Sequence, residues 1–213
     1  MTGPATDQAA STGASPVAGT VAGAVVGADG RARCGWGQSA PEYVRYHDEE
    51  WGVPLHGRAE LFERMCLESF QAGLSWLTIL RKRPAFRAAF AGFEPDRVAE
   101  FGAADVARLM ADAGIVRNRA KIDAAIRNAR LARDLDIDLD ELLWSFAPDP
   151  VGRARPATIA DVPAVTAEST AMARELKRRG FVFLGPTTCY ALMQSTGMVD
   201  DHVAGCWRAV SDR

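Results

Sequence analysis

Apolar positions in this chain recur at helical rather than strand spacing. Leu61, Met65 and Glu68 fall at i, i+4 and i+7, so a helix over residues 59–71 places a carboxylate on its own apolar stripe. A buried carboxylate must find hydrogen-bond donors or take up a proton, because desolvation disfavours its charged form. Gly73 then interrupts the pattern and Leu74 and Trp76 follow at once. A polar group, a backbone gap and two large apolar side chains in so short a stretch are the inventory of a pocket wall. They equally suit a helix corner whose Glu68 caps a neighbouring helix or pairs with an arginine.

The same periodicity predicts helix after helix. A short one over 41–49 precedes a turn at Trp51-Gly52-Val53-Pro54, and helices over 59–71 and 74–81 follow. Pro84 suits the first position of another, ended by Gly92, and Pro95 that of a short one. Residues 104–111 run into Gly114, and Asn118 can cap a long helix from 119 to about 135, on which Ile122, Ile126, Ala129 and Leu131 keep the helical period. Residues 138–146 form a further helix, and 148–163 a proline-broken loop that is either a surface excursion or a hinge. A helix over 166–179 ends at Gly180. Phe181 to Leu184 is an apolar connector, and Gly185-Pro186-Thr187-Thr188 opens a last helix closed by Gly197. That connector is the single β-like stretch, so the fold class predicted is all-α. The folded part is expected to begin near Arg33. Residues 1–32, rich in Ala, Gly, Ser and Thr, read as a disordered extension.

Composition narrows the class. With 213 residues and 48% hydrophobic content, the chain can bury one sizeable core or two small lobes sharing a cleft. A net charge of -2 gives no global nucleic-acid signal. Any such partner must meet local patches at Arg81-Lys82-Arg83, at Arg117, Arg119 and Lys121, or at Lys177-Arg178-Arg179. Cations near helix C-termini are also what the helix dipole favours. Four cysteines without a secretory signal point to free thiols in a reducing, cytoplasmic setting. Nothing approaches the roughly 18 consecutive apolar residues of a membrane span.

Three constellations carry candidate chemistry. His202 and Cys206, at i and i+4, share a face if the segment is helical, and Cys34 with His47 can complete a closed tetrahedral Cys2His2 set around Zn2+. The alternative is a core histidine and buried thiols. Trp36, Tyr43, Tyr46, Trp51 and Trp76 gather near these elements, as a box to stack a flipped, positively charged nucleobase or simply as core. The basic helix end at 177–179, a glycine-bounded hairpin and the start of the next helix at Gly185, Thr187 and Thr188 offer backbone N–H groups and hydroxyls to a phosphate, though a plain αα-hairpin is equally compatible.

Taken together, these stretches resemble one family. Cys34-Gly35-Trp36, Tyr43-Val44-Arg45-Tyr46-His47-Asp48-Glu49-Glu50-Trp51-Gly52-Val53-Pro54, Leu67-Glu68 with Gln71-Ala72-Gly73-Leu74-Ser75-Trp76, Ala113-Gly114-Ile115-Val116-Arg117-Asn118-Arg119 with Lys121-Ile122, Lys177-Arg178-Arg179-Gly180-Phe181 and Asp201-His202-Val203 are similar to the constitutive bacterial 3-methyladenine DNA glycosylase I family. The likeness runs from about Arg33 to Cys206.

The resemblance implies a helix-hairpin-helix glycosylase fold of two helical lobes with the flipped base between them, and a structural zinc on Cys34, His47, His202 and Cys206. It implies that Glu68 contacts the modified adenine in a pocket lined by Tyr46, Trp51 and Trp76, with Tyr43 and Trp36 beside them. The hairpin from Gly180 to Gly185 would grip double-stranded DNA, Gly73 would allow close approach, and Leu74 would fill the gap left by the extruded nucleotide. The expected enzyme is a monomer. Lyase-competent relatives carry a lysine where this chain has Pro186 and Thr187, so no Schiff base is expected. The family usually has Asn where this chain has Asp200, which gives either an aid to water activation or a cap. A rival reading is a non-catalytic, zinc-stabilised sensor of alkylated DNA.

Overall fold

A computed structural model describes residues 20–21, 23–151 and 153–209. Nine α-helices account for half of them: α1 (Pro41–Glu49), α2 (Arg58–Gln71), α3 (Trp76–Ala89), α4 (Pro95–Ala99), α5 (Ala103–Ala111), α6 (Arg119–Arg133), α7 (Leu139–Trp144), α8 (Ala167–Arg178) and α9 (Pro186–Ser195). Helix α2 is central. All ten residues from Leu61 to Phe70 are buried, and the helix touches α3, α6, α7 and α9. Its apolar stripe is the predicted one, with Leu61 and Met65 fully buried and Glu68 6% exposed. Burial of such side chains contributes roughly 1.5–3 kcal/mol each, which is why a helix carrying an acid on its stripe still forms.

Several helix starts follow their side chains. Asn118 Oδ1 accepts from Lys121 N at the head of α6, Thr166 caps α8 and Asp138 caps α7. The separate helices expected over 74–81 and 84–92 are instead one, α3, opened by Ser75 and carrying Pro84 inside it. Pro84 lies on the exposed face, where its missing donor disrupts least.

The all-α expectation holds for the bulk of the fold, but a small antiparallel meander of β1 (Thr20–Val21), β2 (Ala24–Val26) and β3 (Ala32–Cys34) precedes the helices. The disordered extension expected through residue 32 therefore does not hold for 20–21 and 23–32. The rest of that expectation, 1–19 and residue 22, lies outside the described residues. Ala24 is fully buried, and a Cβ on Gly23 would sit 2.0 Å from the Ala157 carbonyl, so the meander is pressed against the loop 148–163. The expected β-like connector, Phe181 to Leu184, forms no strand; the Asn128 side-chain amide bonds both the N–H and the carbonyl of Val182, each at 3.0 Å. Among the described residues, no helix is long and apolar enough to cross a membrane.

Candidate active site and metal centre

Cys34 ends β3, His47 lies on the last turn of α1, and His202 and Cys206 lie in the irregular segment after α9. The last pair is not helical, contrary to the spacing argument. Gly197, at φ 70°, ends α9, and the following segment is held by a turn in which Cys206 N bonds Val203 O at 2.8 Å. The four donor atoms nonetheless meet within 4.8 Å of one another, and all four residues are buried. Cys206 Sγ is 3.4 Å from His47 Nε2 and 3.5 Å from His202 Nδ1, and Cys34 Sγ is 3.7 Å from His202 Nδ1. A tetrahedral centre with metal–sulfur bonds of ~2.3 Å and metal–nitrogen bonds of ~2.05 Å has S···N edges of ~3.6 Å. The cluster is thus compatible with a four-ligand metal site.

The surroundings fix each ligand's orientation. His47 Nδ1 is 2.8 Å from Asp48 Oδ1, and Asp48 is itself gripped by Arg33 through two bonds of 2.8 and 2.7 Å. His202 Nε2 is 3.1 Å from the Trp51 carbonyl. Each imidazole donates outward and turns its lone pair inward, the arrangement that suits metal-binding histidine. Backbone N–H groups of Val203 and Arg208 point at the sulfurs of Cys34 and Cys206, at 3.5 and 3.4 Å, favouring thiolates. Contact between the two thiols drives them apart in acidity: Cys206 raises Cys34, which burial raises further, while Cys34, then His202 and His47, hold Cys206 low. A Cβ at Gly37 would come within 2.8 Å of the His47 ring, so glycine is required there by space.

The Cys2His2 cluster forms the back of an aromatic wall. Trp51 meets His202 edge-on at 4.7 Å and Trp36 at 5.0 Å, while Trp36 meets His47 at 5.4 Å. Tyr46 and Trp76 lie 5.4 Å apart, and Tyr43 completes the row 5.7 Å from Trp36, its hydroxyl accepting from Leu77 N. All five predicted aromatics line one open cleft of about 410 Å³, with Glu68 among them. That volume falls in the ~300–1,000 Å³ range of small-molecule sites.

The cleft has an opposite wall that sequence reasoning missed. Ala191, Gln194 and Ser195 come from α9, and Ile159 and Val162 from the proline-broken loop; Gln71 adds a polar group at the end of α2. No local motif marks these residues. The available signal was the aliphatic side chains of that loop, Val151, Ile159 and Val162.

Burial pushes the Glu68 carboxyl up to about 7, against opposing pulls from Ser195 and the Arg64 guanidinium. Beside it, Arg64 and Arg83 converge on Glu50, with bonds of 2.5, 2.6 and 2.7 Å. Although burial works the other way, Arg83 and Arg64 hold Glu50 down at about 2. Arg64 also lies 5.3 Å over the Tyr46 ring. With Glu50 neutralising one of the two guanidiniums, an ionised Glu68 leaves this cluster electrically balanced. The Trp76 Nε1–H is buried without a protein partner at the cleft.

Asp200 does not line this cleft. It accepts from His202 N at 3.1 Å and pairs with Arg155 at 3.0 Å, which makes it a cap on the ligand-bearing turn. Its neighbour Asp201 is the buried hub, joined to Tyr190, Arg153 and the cleft-lining Gln194 at 2.6, 2.7 and 2.8 Å.

Gly73, at φ 83°, and Leu74, 42% exposed, form the turn after α2, three residues beyond cleft-lining Gln71. A Cβ at Gly73 would meet nothing within 4 Å, so the backbone angle demands glycine there, and open space lies outside it. Lys121, expected in a basic surface patch, is instead buried, donating to the carbonyls of Phe70 and Ala72 at 2.9 and 2.5 Å and so fastening this turn. The other expected patches are largely consumed by internal contacts: Arg81 with Glu42, Arg83 with Glu50, Arg119 with Asp123, Lys82 with two carbonyls, Arg178 and Arg179 with Glu175. Among the described residues Arg117 and Lys177 remain exposed without a partner. Gly185 caps α9, with Thr187 exposed and Thr188 half-buried on its first turn.

Residues 36–209 match the methyladenine glycosylase family. The chain is 46% identical over 177 residues to DNA-3-methyladenine glycosylase 1 of Escherichia coli K12, covering 82% of this chain and 95% of that protein. It is 43% identical over 178 residues to DNA-3-methyladenine glycosylase of Haemophilus influenzae, covering 82% and 96%. Among solved structures, a crystal structure of 3-methyladenine DNA glycosylase I superposes with a TM-score of 0.78 at 43% identity, covering 83% of this chain and 98% of that one.

Proposed function

Because the chain belongs to the methyladenine glycosylase family, we propose that it is a base-excision repair enzyme that hydrolyses the N-glycosidic bond of 3-methyladenine in double-stranded alkylated DNA. It acts as a monomer. The observation that carries this reading is Glu68: a buried carboxylate at an open cleft walled by five aromatic side chains. Such a site fits a flat cation. In support, a variant of one solved relative, 34% identical with a TM-score of 0.75 over 85% of this chain and 99% of that one, is in complex with 3-methyladenine.

Methylation at N3 makes adenine cationic in DNA, which weakens the glycosidic bond and lets the base leave neutral. The protein therefore needs little general-acid catalysis; it must extrude the nucleotide, hold the cation and exclude ordinary adenine. Burial leaves Glu68 poised near neutrality at about 7, and an incoming cation favours its ionised form. The carboxylate then accepts from the exocyclic amine. Facing aromatic rings add roughly 0.5–2 kcal/mol each through cation–π attraction. Unmodified adenine carries the same amine but no charge, so it gains neither the ionic attraction to the carboxylate nor the cation–π term. No lysine lies at the head of α9, where Pro186 and Thr187 stand, so hydrolysis proceeds without a Schiff base.

Outside the pocket, the cleft lies between two helical lobes and the α8–α9 pair acts as the DNA-gripping helix-hairpin-helix. Gly185, Thr187 and Thr188 offer N–H groups and hydroxyls to phosphate, Gly73 admits the backbone, and Leu74 occupies the vacated stack. Cys34, His47, His202 and Cys206 hold Zn2+; two thiolates balance its charge, and a closed ligand set leaves it structural. In that role it ties the start of the fold to its end and braces Trp36 and Trp51 from behind.

Incubation with methylated duplex DNA followed by chromatography of the supernatant tests the enzyme reading. Released free 3-methyladenine supports it, while tight binding without release would establish a sensor instead. Elemental analysis of the purified protein, reading one zinc per chain, tests the metal.

A further inference from the structure

The loop that carries Ile159 and Val162 into the cleft is rigid in itself but little tied to its surroundings. Among the described residues, the hydrogen bonds of residues 157–162 stay within their own turn. Thr158 N and Oγ1 donate to Asp161 Oδ2 at 2.7 and 2.9 Å, and Asp161 N and Val162 N donate to Thr158 O and Ile159 O at 3.1 and 3.3 Å. What the turn packs against therefore sets its position. Just before it, Ala204 N donates to Pro156 O at 3.0 Å. The other support is Gly23, so close that a Cβ there would fall 2.0 Å from Ala157 O and 3.1 Å from Thr158 Cα.

Gly23 is a firm support because its own meander is fixed to the fold. Ala24 beside it is fully buried and pairs with Cys34, Gln38 Nε2 donates to Val25 O, and Trp207 N donates to Ala32 O at 2.8 Å. Residues 20–34 precede the stretch 36–209 that matches the family, so the family's chemistry does not account for their place against this loop. Ile159 does. It is 51% exposed yet lines the cleft, and with Val162 and Ala191 it forms the aliphatic part of a lining that is otherwise aromatic or polar. A flat base seated among the aromatic rings covers such a side chain, and burial of its apolar surface adds affinity. We propose that Ile159 is a further base-contacting residue and that the β1–β3 meander positions it, through the contact of Gly23 with Ala157. This rests on the glycosylase reading above.

Two glycines of the meander separate that role from simple stability. Gly23 and Gly30 both sit at positive φ, 80° and 77°, but a Cβ at Gly30 would meet nothing within 4 Å. Gly23→Ala and Gly30→Ala therefore carry similar backbone strain, and only the first pushes on the loop. Gly23→Ala weakens binding of free 3-methyladenine, read by tryptophan quenching, by about fourfold, the scale of one methylene no longer buried. It also speeds amide exchange at Asp161 and Val162, while Gly30→Ala changes neither. Ile159→Ala weakens base binding by a similar factor, and Gly23→Ala adds nothing in that background, because the two act through one contact. Equal base affinity in wild type and Ile159→Ala, an exposed substitution that leaves the fold intact, overturns the proposal whatever happens at Gly23. Additive losses in the double variant, or equal losses in the two glycine variants, overturn it as well. A wild type that releases no base from methylated duplex DNA, with Gly23→Ala still weakening its hold on the free base, would overturn the enzymatic reading and leave the positioning role standing.

Discussion

Replacing Glu68 by glutamine should make the protein more stable and less active, and the gain in stability should depend on pH. The wild-type carboxyl is pushed from its ordinary 4.5 to about 7 by burial. Between those values the native state keeps a proton that the unfolded chain has released, so wild-type stability falls as pH rises through the window. The shift corresponds to ~3 kcal/mol at ~1.36 kcal/mol per pH unit. Glutamine has the same shape and no charge to bury. Urea unfolding at about pH 5 and about pH 8 measures the difference directly. With an m-value of ~2 kcal/mol/M, the Glu68→Gln midpoint should lie close to wild type at the lower pH and ~1.5 M above it at the higher one. Other titrating groups cancel between the two proteins. A midpoint difference that is the same at both pH values, or a glutamine variant that is less stable at pH 8, would refute the assignment of Glu68 as a carboxylate held at a desolvation cost for binding a cation.

Removal of the metal by a strong chelator should lower the melting temperature and alter tryptophan emission, because Trp51 and Trp36 lie 4.7 and 5.4 Å from the ligand rings His202 and His47; readdition of zinc should reverse both. Asp200→Asn keeps the oxygen that caps His202 N, and should leave the excision rate within about twofold of wild type, since a cleft-remote carboxylate supplies no transition-state contact; a large loss in single-turnover rate would restore Asp200 as a catalytic group. Lys121→Met removes the donor to Phe70 O and Ala72 O, and should cost about 1–3 kcal/mol in unfolding experiments while accelerating amide exchange at Gly73 and Leu74; unchanged exchange there would show that the turn is fastened by other contacts.

The parts of this protein legible in its sequence are those encoded locally. Leu61, Met65 and Glu68 announce the α2 stripe by spacing, and Asn118 announces the start of α6 by capping chemistry. The four candidate metal ligands and the five cleft aromatics were found as residue types, and the fold brings each set together. What escaped was tertiary. The part of the cleft lined by Ile159, Val162, Gln194 and Ser195 is assembled by α9, packed on α2, and by a loop distant in sequence, with no periodic signal. Lys121 looked like one more surface cation, and only the position of α2's last carbonyls explains its burial. Pro84 read as a helix start because a missing donor is least disruptive there, yet an exposed interior position was tolerated. The meander at 20–34 is too short for alternation to show, and its stability comes from Ala24 and Gly23 pressed against the rest of the fold.

Single-turnover release of free 3-methyladenine from methylated duplex DNA, with enzyme in excess and Glu68→Gln run alongside wild type, bears most directly on the proposed chemistry. Wild type should release the base at a rate far above spontaneous depurination, and the glutamine variant, folded and still able to bind the duplex, should release it at least ~10-fold more slowly, as expected when the charge-assisted contact that holds the extruded cationic base in the cleft is lost. Equal rates for the two proteins would contradict the claim that this buried carboxylate reads the cationic base.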